Sequence, residues 1–391
     1  MDTSRKNPNL LRAYAAIDLT RLKANFDALA SSLPEGKKIL AVVKADAYGH
    51  NAAAVARALV GRAAYFGVAT ALEGVRLRES GIEEPILVFG RTPLKEASLL
   101  ADFNLTQCVF SFDYANELGL ALSRTGHKVK IHIKIDTGMG RLGFPAENED
   151  SITQILSLSR ICSLEIEGIF SHYAKSDVPG DPFTALQASR FSATVQKLED
   201  AGLTFAYKHL ANSGASLLGL PDIGNMVRAG ICLYGDFPSD AVRDFWNETY
   251  PERPILPVMT LFSSVAQIRT LKAGDPLGYD CAWRAERDTL IAVVAAGYAD
   301  GVPRSISKKA DAIALGCRIV GNVCMDMTFF DITDSAEEIH EGDVVALFGE
   351  KGITVADWAR AAGTITYEIY CNISARIPRV MLEEGQVVEI N

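Results

Sequence analysis

Eight short apolar runs alternate with segments of helical period across the first two-thirds of the chain, and this rhythm constrains the fold more than any other feature. The runs are Lys38 to Lys44, Tyr65 to Thr70, Pro85 to Gly90, Leu105 to Ser111, Val129 to Asp136, Leu164 to His172, Tyr207 to Asn212 and Met226 to Tyr234. Eight strand–helix repeats in one unbroken series predict an α/β fold of the (β/α)8 TIM-type barrel class rather than a doubly wound sheet. Ahead of the first run, Leu19, Leu22, Phe26 and Leu29 recur at three- and four-residue steps behind Asp18 or Thr20 as cap, which predicts a helix over Asp18 to Leu33.

One run is unusual. Val129, Ile131, Ile133 and Ile135 share one face, and Lys130, His132, Lys134 and Asp136 share the other. In a barrel the apolar face meets the helices, so the charged face points inward, where burial is costly unless the charges are paired. This strand therefore marks a functional interior.

After about Asp236 the helical period fades into a stretch containing Pro238, Pro251, Pro254 and Pro257. Strand-like runs follow at Met259 to Ile268, Thr289 to Ala295, Arg318 to Val323, Thr328 to Ile332 and Val344 to Phe348, separated by turns such as Ala273-Gly274-Asp275. The expectation is a barrel domain over 1–236 followed by a mainly β C-terminal domain over 237–391, with the first dozen or so residues packing with the β domain. A chain of 391 residues fits two such domains.

Composition excludes several function classes. A formal net charge of -9 argues against a polyanionic partner such as nucleic acid, and Ser307-Lys308-Lys309 is too short a basic run to reverse this. The seven cysteines are widely spaced, without a C-x-x-C pair for zinc or redox work, and read as reduced thiols. The opening MDTSRKNPNL lacks the apolar core of a secretory signal, and no stretch approaches the ~18 apolar residues of a membrane span, so a cytoplasmic protein with no membrane association is expected.

The chemistry begins at AVVKADAYGH, Ala41 to His50, which sets Lys44 at the carboxyl end of the first run, the end where barrel enzymes build their sites. The chain continues through IDTGMGRLG at Ile135 to Gly143, FSHY at Phe170 to Tyr173, ANS at Ala211 to Ser213 and MVRAGICLYG at Met226 to Gly235. GYADG at Gly297 to Gly301, CMDM at Cys324 to Met327 and TITYEI at Thr364 to Ile369 complete the series. In this order, over nearly the whole chain, these segments resemble the pyridoxal-phosphate-dependent alanine racemases of fold type III.

The resemblance implies an isomerase that interconverts L- and D-alanine by a two-base mechanism, supplying D-alanine for bacterial cell-wall peptidoglycan. Lys44 carries pyridoxal 5'-phosphate and serves as one base, with Tyr279 in PLGYDCAW as the other. The flanks Gly278 and Asp280 depart from the family, which more often has serine before the tyrosine and glycine after it. Arg228 donates to the pyridine nitrogen with His172 beside it, and Arg141 serves both the cofactor's phenolic oxygen and the substrate carboxylate. Tyr48, Ser213, the backbone of Gly230 and Ile231, and Tyr367 bind phosphate, with Asn212 nearby. Met325 meets the substrate carboxylate with Asp326 beside it. Tyr298 and Tyr367 narrow the entrance, and Asp177 and Arg304 line its outer part. Lys134 is a lysine that many family members carbamylate. No metal is implied. A homodimer with shared sites also follows from the resemblance. Alternatives are a racemase of broader specificity, such as serine, and a non-catalytic pyridoxal-phosphate-binding protein.

Overall fold

A computed structural model describes residues 11–124, 126–221, 223–309, 313–349 and 353–391, so MDTSRKNPNL lies outside the described residues. The chain divides into two compact units. One comprises Lys23–Ala47 and Ala52–Leu256, and the other comprises the chain up to Leu22, Tyr48–Asn51 and Pro257–Asn391.

In the first unit every predicted run forms a strand. Lys38–Val42, Tyr65–Val68, Ile86–Val88, Leu105–Val109, Val129–Asp136, Leu164–Phe170 and Tyr207–His209 follow in sequence order, and Met226–Ala229 returns beside Lys38–Val42. All neighbours are parallel, as in Leu40 opposite Tyr65 and Met226 opposite Lys38. The last gap is bridged by Asn225 N–H to the Lys208 carbonyl at 2.9 Å and Arg228 N–H to the Ala211 carbonyl at 3.0 Å, so the eight-stranded TIM-type barrel is nearly closed. Most of the strands end before their apolar runs do. Those surplus residues form the loops at the carboxyl rim, and the candidate site residues of this unit lie mainly there.

The alternation of Val129–Asp136 is realised as expected. Its isoleucines and Val129 are buried, while His132 and Lys134 are buried too, on the interior face.

Two expectations need correction. The segment after Asp236 is not free of helix, because Asp240–Thr249 is helical behind Ser239 as cap and buries Trp246 completely. The segment stays with the barrel: Asn25 accepts from Leu256 N–H at 2.7 Å and donates back to the Leu256 carbonyl at 2.8 Å. By its packing, the chain through Leu256 belongs to the same compact unit as the barrel. The second correction is the strand Ala13–Asp18, to which the sequence reading assigns no element.

The second unit is mainly β, as expected. Its long strand Met259–Leu271 pairs antiparallel with Ala13–Asp18, Thr289–Val294 and Val344–Phe348, and Ala13–Asp18 pairs in parallel with Arg379–Glu383. Leu11 packs against the buried Tyr14, Ala16 and Val380. Among the described residues no helix is long and apolar enough to cross a membrane.

Candidate active site

At the carboxyl rim of the barrel, Lys44 follows directly on Lys38–Val42 and Val43. The backbone then turns sharply, with Ala45, Asp46, Ala47 and Tyr48 all at φ +53 to +54°. Left-handed backbone costs an L-residue roughly 1–2 kcal/mol, so a run of four without glycine persists only where its surroundings enforce it.

Arg228 comes from the last barrel strand and is buried. One terminal nitrogen donates to Nδ1 of His209 at 2.9 Å and to its carbonyl at 3.0 Å. The other donates to Nδ1 of His172 at 3.1 Å and to the Ser171 and Leu210 carbonyls at 2.7 and 2.9 Å. A guanidinium only donates, so both Nδ1 atoms are acceptors and each neutral ring carries its proton on Nε2. His209 Nε2 then lies 2.9 Å from His132 Nδ1, and His132 Nε2 lies 3.3 Å from a Glu167 carboxylate oxygen. The result is a directed chain, Arg228 to His209 to His132 to Glu167, through the barrel interior. Burial first, and Arg228 second, hold His172 and His209 well below the usual imidazole range.

The charges converging on His172 define the site. After Arg228, the groups that depress it are Lys134, Arg141 and Lys44, so four basic side chains act on one neutral ring. Lys134 is buried, with Nζ 2.9 Å from the Ile135 carbonyl and 5.3 Å above the Phe170 ring. Burial, and then Arg228, bring its ammonium down to about 7. Arg141 rides a loop that folds back over the strand end: the Asp136 carboxylate accepts from Gly138 and Gly140 N–H, and at Gly143, with φ +131°, a Cβ would stand 2.5 Å from Asp136 N. An unbalanced cluster of this kind is built for an anion.

Nearby, Asn212 caps the short helix Ser213–Leu217 by accepting from Ala215 N–H, and it also accepts from the Ser176 hydroxyl. Ser213 Oγ accepts from Gly230 N–H at 2.9 Å, next to the buried Ile231. The Asp177 carbonyl accepts from Ser239 Oγ at 2.6 Å.

The second unit gathers the other predicted residues. Gly297 lets two loops pack back to back, since a Cβ there would meet the Cys324 and Met325 carbonyls at 2.3 and 2.4 Å. Tyr298 N–H accordingly donates to the Cys324 carbonyl at 2.9 Å, and Ala299 N–H to the Met325 carbonyl at 3.0 Å. Asn322, on the same loop, donates to the Tyr279 carbonyl at 3.2 Å. Tyr279 sits between Gly278 at φ +68° and Asp280 at φ +62°, and 69% of it is exposed. Arg304 opens the turn Arg304–Ile306, whose following Ser307 accepts from Val323 N–H. Asp326 accepts from Arg376 at 2.6 Å, and Arg376 also donates to the buried Asp300, which binds Arg12. The rings of Tyr48 and Tyr367 lie 5.8 Å apart.

Those groupings match a two-domain pattern found in known proteins. The profile of the alanine racemase N-terminal domain matches residues 17–238, and that of the alanine racemase C-terminal domain matches 258–381. This chain belongs to the alanine racemase family. It is 38% identical over 389 residues to the alanine racemase of Clostridium novyi (strain NT), covering 98% of each chain. The alanine racemase of Clostridium difficile 630 superposes with a TM-score of 0.90 at 36% identity, over 97% of this chain and 98% of that one. The alanine racemase of Bartonella henselae, whose structure contains covalently bound pyridoxal phosphate, gives a TM-score of 0.82 at 27% identity, over 95% and 100%. As an alanine racemase family member the chain is an isomerase.

Within the alanine racemase barrel, the sequence reading named Lys44, Lys134, Arg141, His172 and Arg228, and the structure sets them near enough for the four basic groups to act on His172. It missed His209 and Glu167, and gave His132 no role beyond its face. One signal was available: Gly168 stands inside the strand Leu164–Phe170 directly after Glu167, and a Cβ there would meet the His132 ring at 2.8 Å.

Proposed function

We propose that this chain interconverts L- and D-alanine with pyridoxal 5'-phosphate held at Lys44, and that it supplies D-alanine for peptidoglycan in the cytoplasm. The observation that carries the reading is the convergence of Lys44, Arg141, Lys134 and Arg228 on a neutral His172. That donor set fits an anionic pyridine cofactor joined to an amino-acid carboxylate. When bound, the cofactor supplies the electron sink that makes an α-proton removable.

The chain's own residues do the rest. Lys44 Nζ takes or returns the α-proton on one face, and the Tyr279 hydroxyl serves the opposite face. Arg228 keeps its proton at any working pH, so it offers the pyridine nitrogen a hydrogen bond and not a proton, with His172 beside the ring. Tyr48, Ser213, Gly230, Ile231 and Tyr367 hold phosphate beside Asn212. Arg141 and the Met325 amide orient the substrate carboxylate next to Asp326. Tyr298, Asp177 and Arg304 shape the entrance.

We read the exposed Tyr279, Tyr298, Met325, Met327 and Ile365 as the surface that meets the barrel of a second copy, giving a homodimer with shared sites. The test is incubation of the purified protein and cofactor with single enantiomers of alanine and serine in deuterated water, followed by chiral analysis. Both alanine enantiomers should form, with deuterium at the α-carbon, and borohydride reduction should fix the label on Lys44. No exchange, or a label on another lysine, overturns the proposal; faster exchange of serine moves the specificity.

A further inference from the structure

We infer that Glu73, a residue outside the cluster described above, is a positioning residue for Lys44. The inference rests on the reading of Lys44 as the cofactor-bearing base.

Glu73 occupies the third position of the helix Ala71–Glu79, where a carboxylate ordinarily closes a capping box with the residue before the helix. It does so here: Glu73 N–H donates to Thr70 Oγ1 at 3.2 Å, while Glu73 Oε2 accepts from Thr70 N–H at 3.3 Å and from Ala69 N–H at 2.7 Å. That uses one carboxylate oxygen. The other, Oε1, leaves the helix and accepts from Ala45 N–H at 2.9 Å.

Ala45 directly follows Lys44 and is the first of the four left-handed residues. Val43, directly before Lys44, donates its own N–H to the Gly67 carbonyl at 2.9 Å. Lys44 is therefore pinned through both neighbouring amides to one strand–helix unit, by the end of the Tyr65–Val68 strand on one side and by Glu73 on the other. The anionic acceptor gives the stronger of two such bonds, and it acts at the point where the backbone enters a conformation it would otherwise avoid. A lysine whose Nζ must reach both the cofactor and a substrate α-carbon depends on where its main chain is held.

Capping and positioning can be separated, because a second helix of this chain provides the control. Val355–Ala362 carries a complete capping box built with aspartate, Thr354 and Asp357, the Asp357 carboxylate accepting from Thr354 N–H at 2.9 Å. Aspartate is thus sufficient to cap. Being one methylene shorter, it cannot also span from the cap to Ala45.

The experiment compares Glu73→Asp with Thr70→Ala by thermal melting, by hydrogen exchange of the Ala45 amide in cofactor-free protein, and by kcat and KM of the loaded enzyme. Glu73→Asp should melt like wild type, exchange the Ala45 amide about 10-fold faster and lose about 10-fold in kcat, the scale of one charge-assisted hydrogen bond. Thr70→Ala should melt lower while leaving the Ala45 amide and kcat unchanged. Glu73→Gln, which matches the native length but turns an N–H donor toward one set of amides, should also release the Ala45 amide and lower kcat. Wild-type exchange and kcat in both Glu73 variants would overturn the inference. If wild type itself neither binds cofactor nor racemises, the proposed function fails, and the exchange measurement still decides whether Glu73 holds Ala45.

Discussion

Nδ1 of His209 accepts a hydrogen bond from the Arg228 guanidinium at 2.9 Å in the middle of the barrel, and this one bond sets the direction of every donor behind it. The chain of donors ends on Glu167, which also accepts from Lys130 and Tyr65 at 2.7 Å each. Burial alone would raise the Glu167 carboxyl, but the hydrogen bonds from His132, Lys130 and Tyr65 outweigh it and hold the group down at about 2. A carboxyl whose pKa is depressed in the folded state adds stability above its unfolded pKa and loses it as pH falls toward the folded value. Glu167 should therefore contribute up to about 3 kcal/mol near neutrality, declining between about pH 5 and pH 2. Urea unfolding across that range should show a shallower acid slope in Glu167→Gln than in wild type. Equal slopes would remove Glu167 from the chain's acid response.

Lys134 is the buried amine beside Arg228, with its pKa brought down to about 7 by burial first and by Arg228 second. Carbamylation requires the neutral amine, whose fraction grows as pH rises through that value. With 13C-bicarbonate, a carbamate resonance is expected at about pH 8 and should fade below about pH 6. It should be absent from Lys134→Ala. A resonance that persists in the variant belongs elsewhere, and none in wild type at pH 8 means that the lysine stays unmodified.

Tyr279→Phe keeps the ring and removes only the hydroxyl, so racemisation should fall roughly 100- to 10,000-fold with the fold intact. Mixing it with Lys44→Ala tests the shared site. If each site draws one base from each chain, a mixed dimer holds one doubly defective site and one intact site, and partial activity returns. Verified mixed dimers without activity would assign both bases to one chain, and a near-wild-type Tyr279→Phe would remove the tyrosine from the chemistry.

Asp280 stands at φ +62°, where glycine carries no strain. Its replacement by glycine relieves the backbone but adds freedom to the unfolded chain, and it forfeits only a 3.4 Å contact with Asn322 Nδ2. Stability should be unchanged or raised by up to about 1 kcal/mol, with racemisation within about 2-fold of wild type. A fall in melting temperature, or a large loss of kcat, would show that the aspartate itself is needed beside Tyr279.

Legibility in the sequence followed how local each determinant is. The first four barrel runs are largely apolar because both faces of a barrel strand are covered, so each was visible on its own. Ala13–Asp18 was not, since its partners, Met259–Leu271 and Arg379–Glu383, are distant in sequence. The left-handed turn after Lys44 was hidden for another reason. Ala45, Asp46, Ala47 and Tyr48 include no glycine to announce it, and the conformation is imposed from outside. Likewise the period of Val129–Asp136 told which face His132 occupies, but His209 and Glu167 become its partners only through strand register. The family motifs pointed to Lys44, Arg228 and Tyr279, and the helix Asp240–Thr249 was masked by the prolines around it.

Asp300 joins Arg12 to Arg376, with Arg12 lying 288 residues upstream of it, while Ala13–Asp18 fills the space between a strand starting at Met259 and one ending at Glu383. On the ribosome, synthesis runs from the amino end at roughly 5–20 residues per second, so Ala13–Asp18 emerges long before either strand that flanks it. The barrel can close while translation continues. The β sheet must wait, with an apolar strand held open by a chain that has not yet been made. This sheet completes only after Arg379–Glu383 has emerged, so the early strand stays without its two neighbours through most of the synthesis of the residues between them.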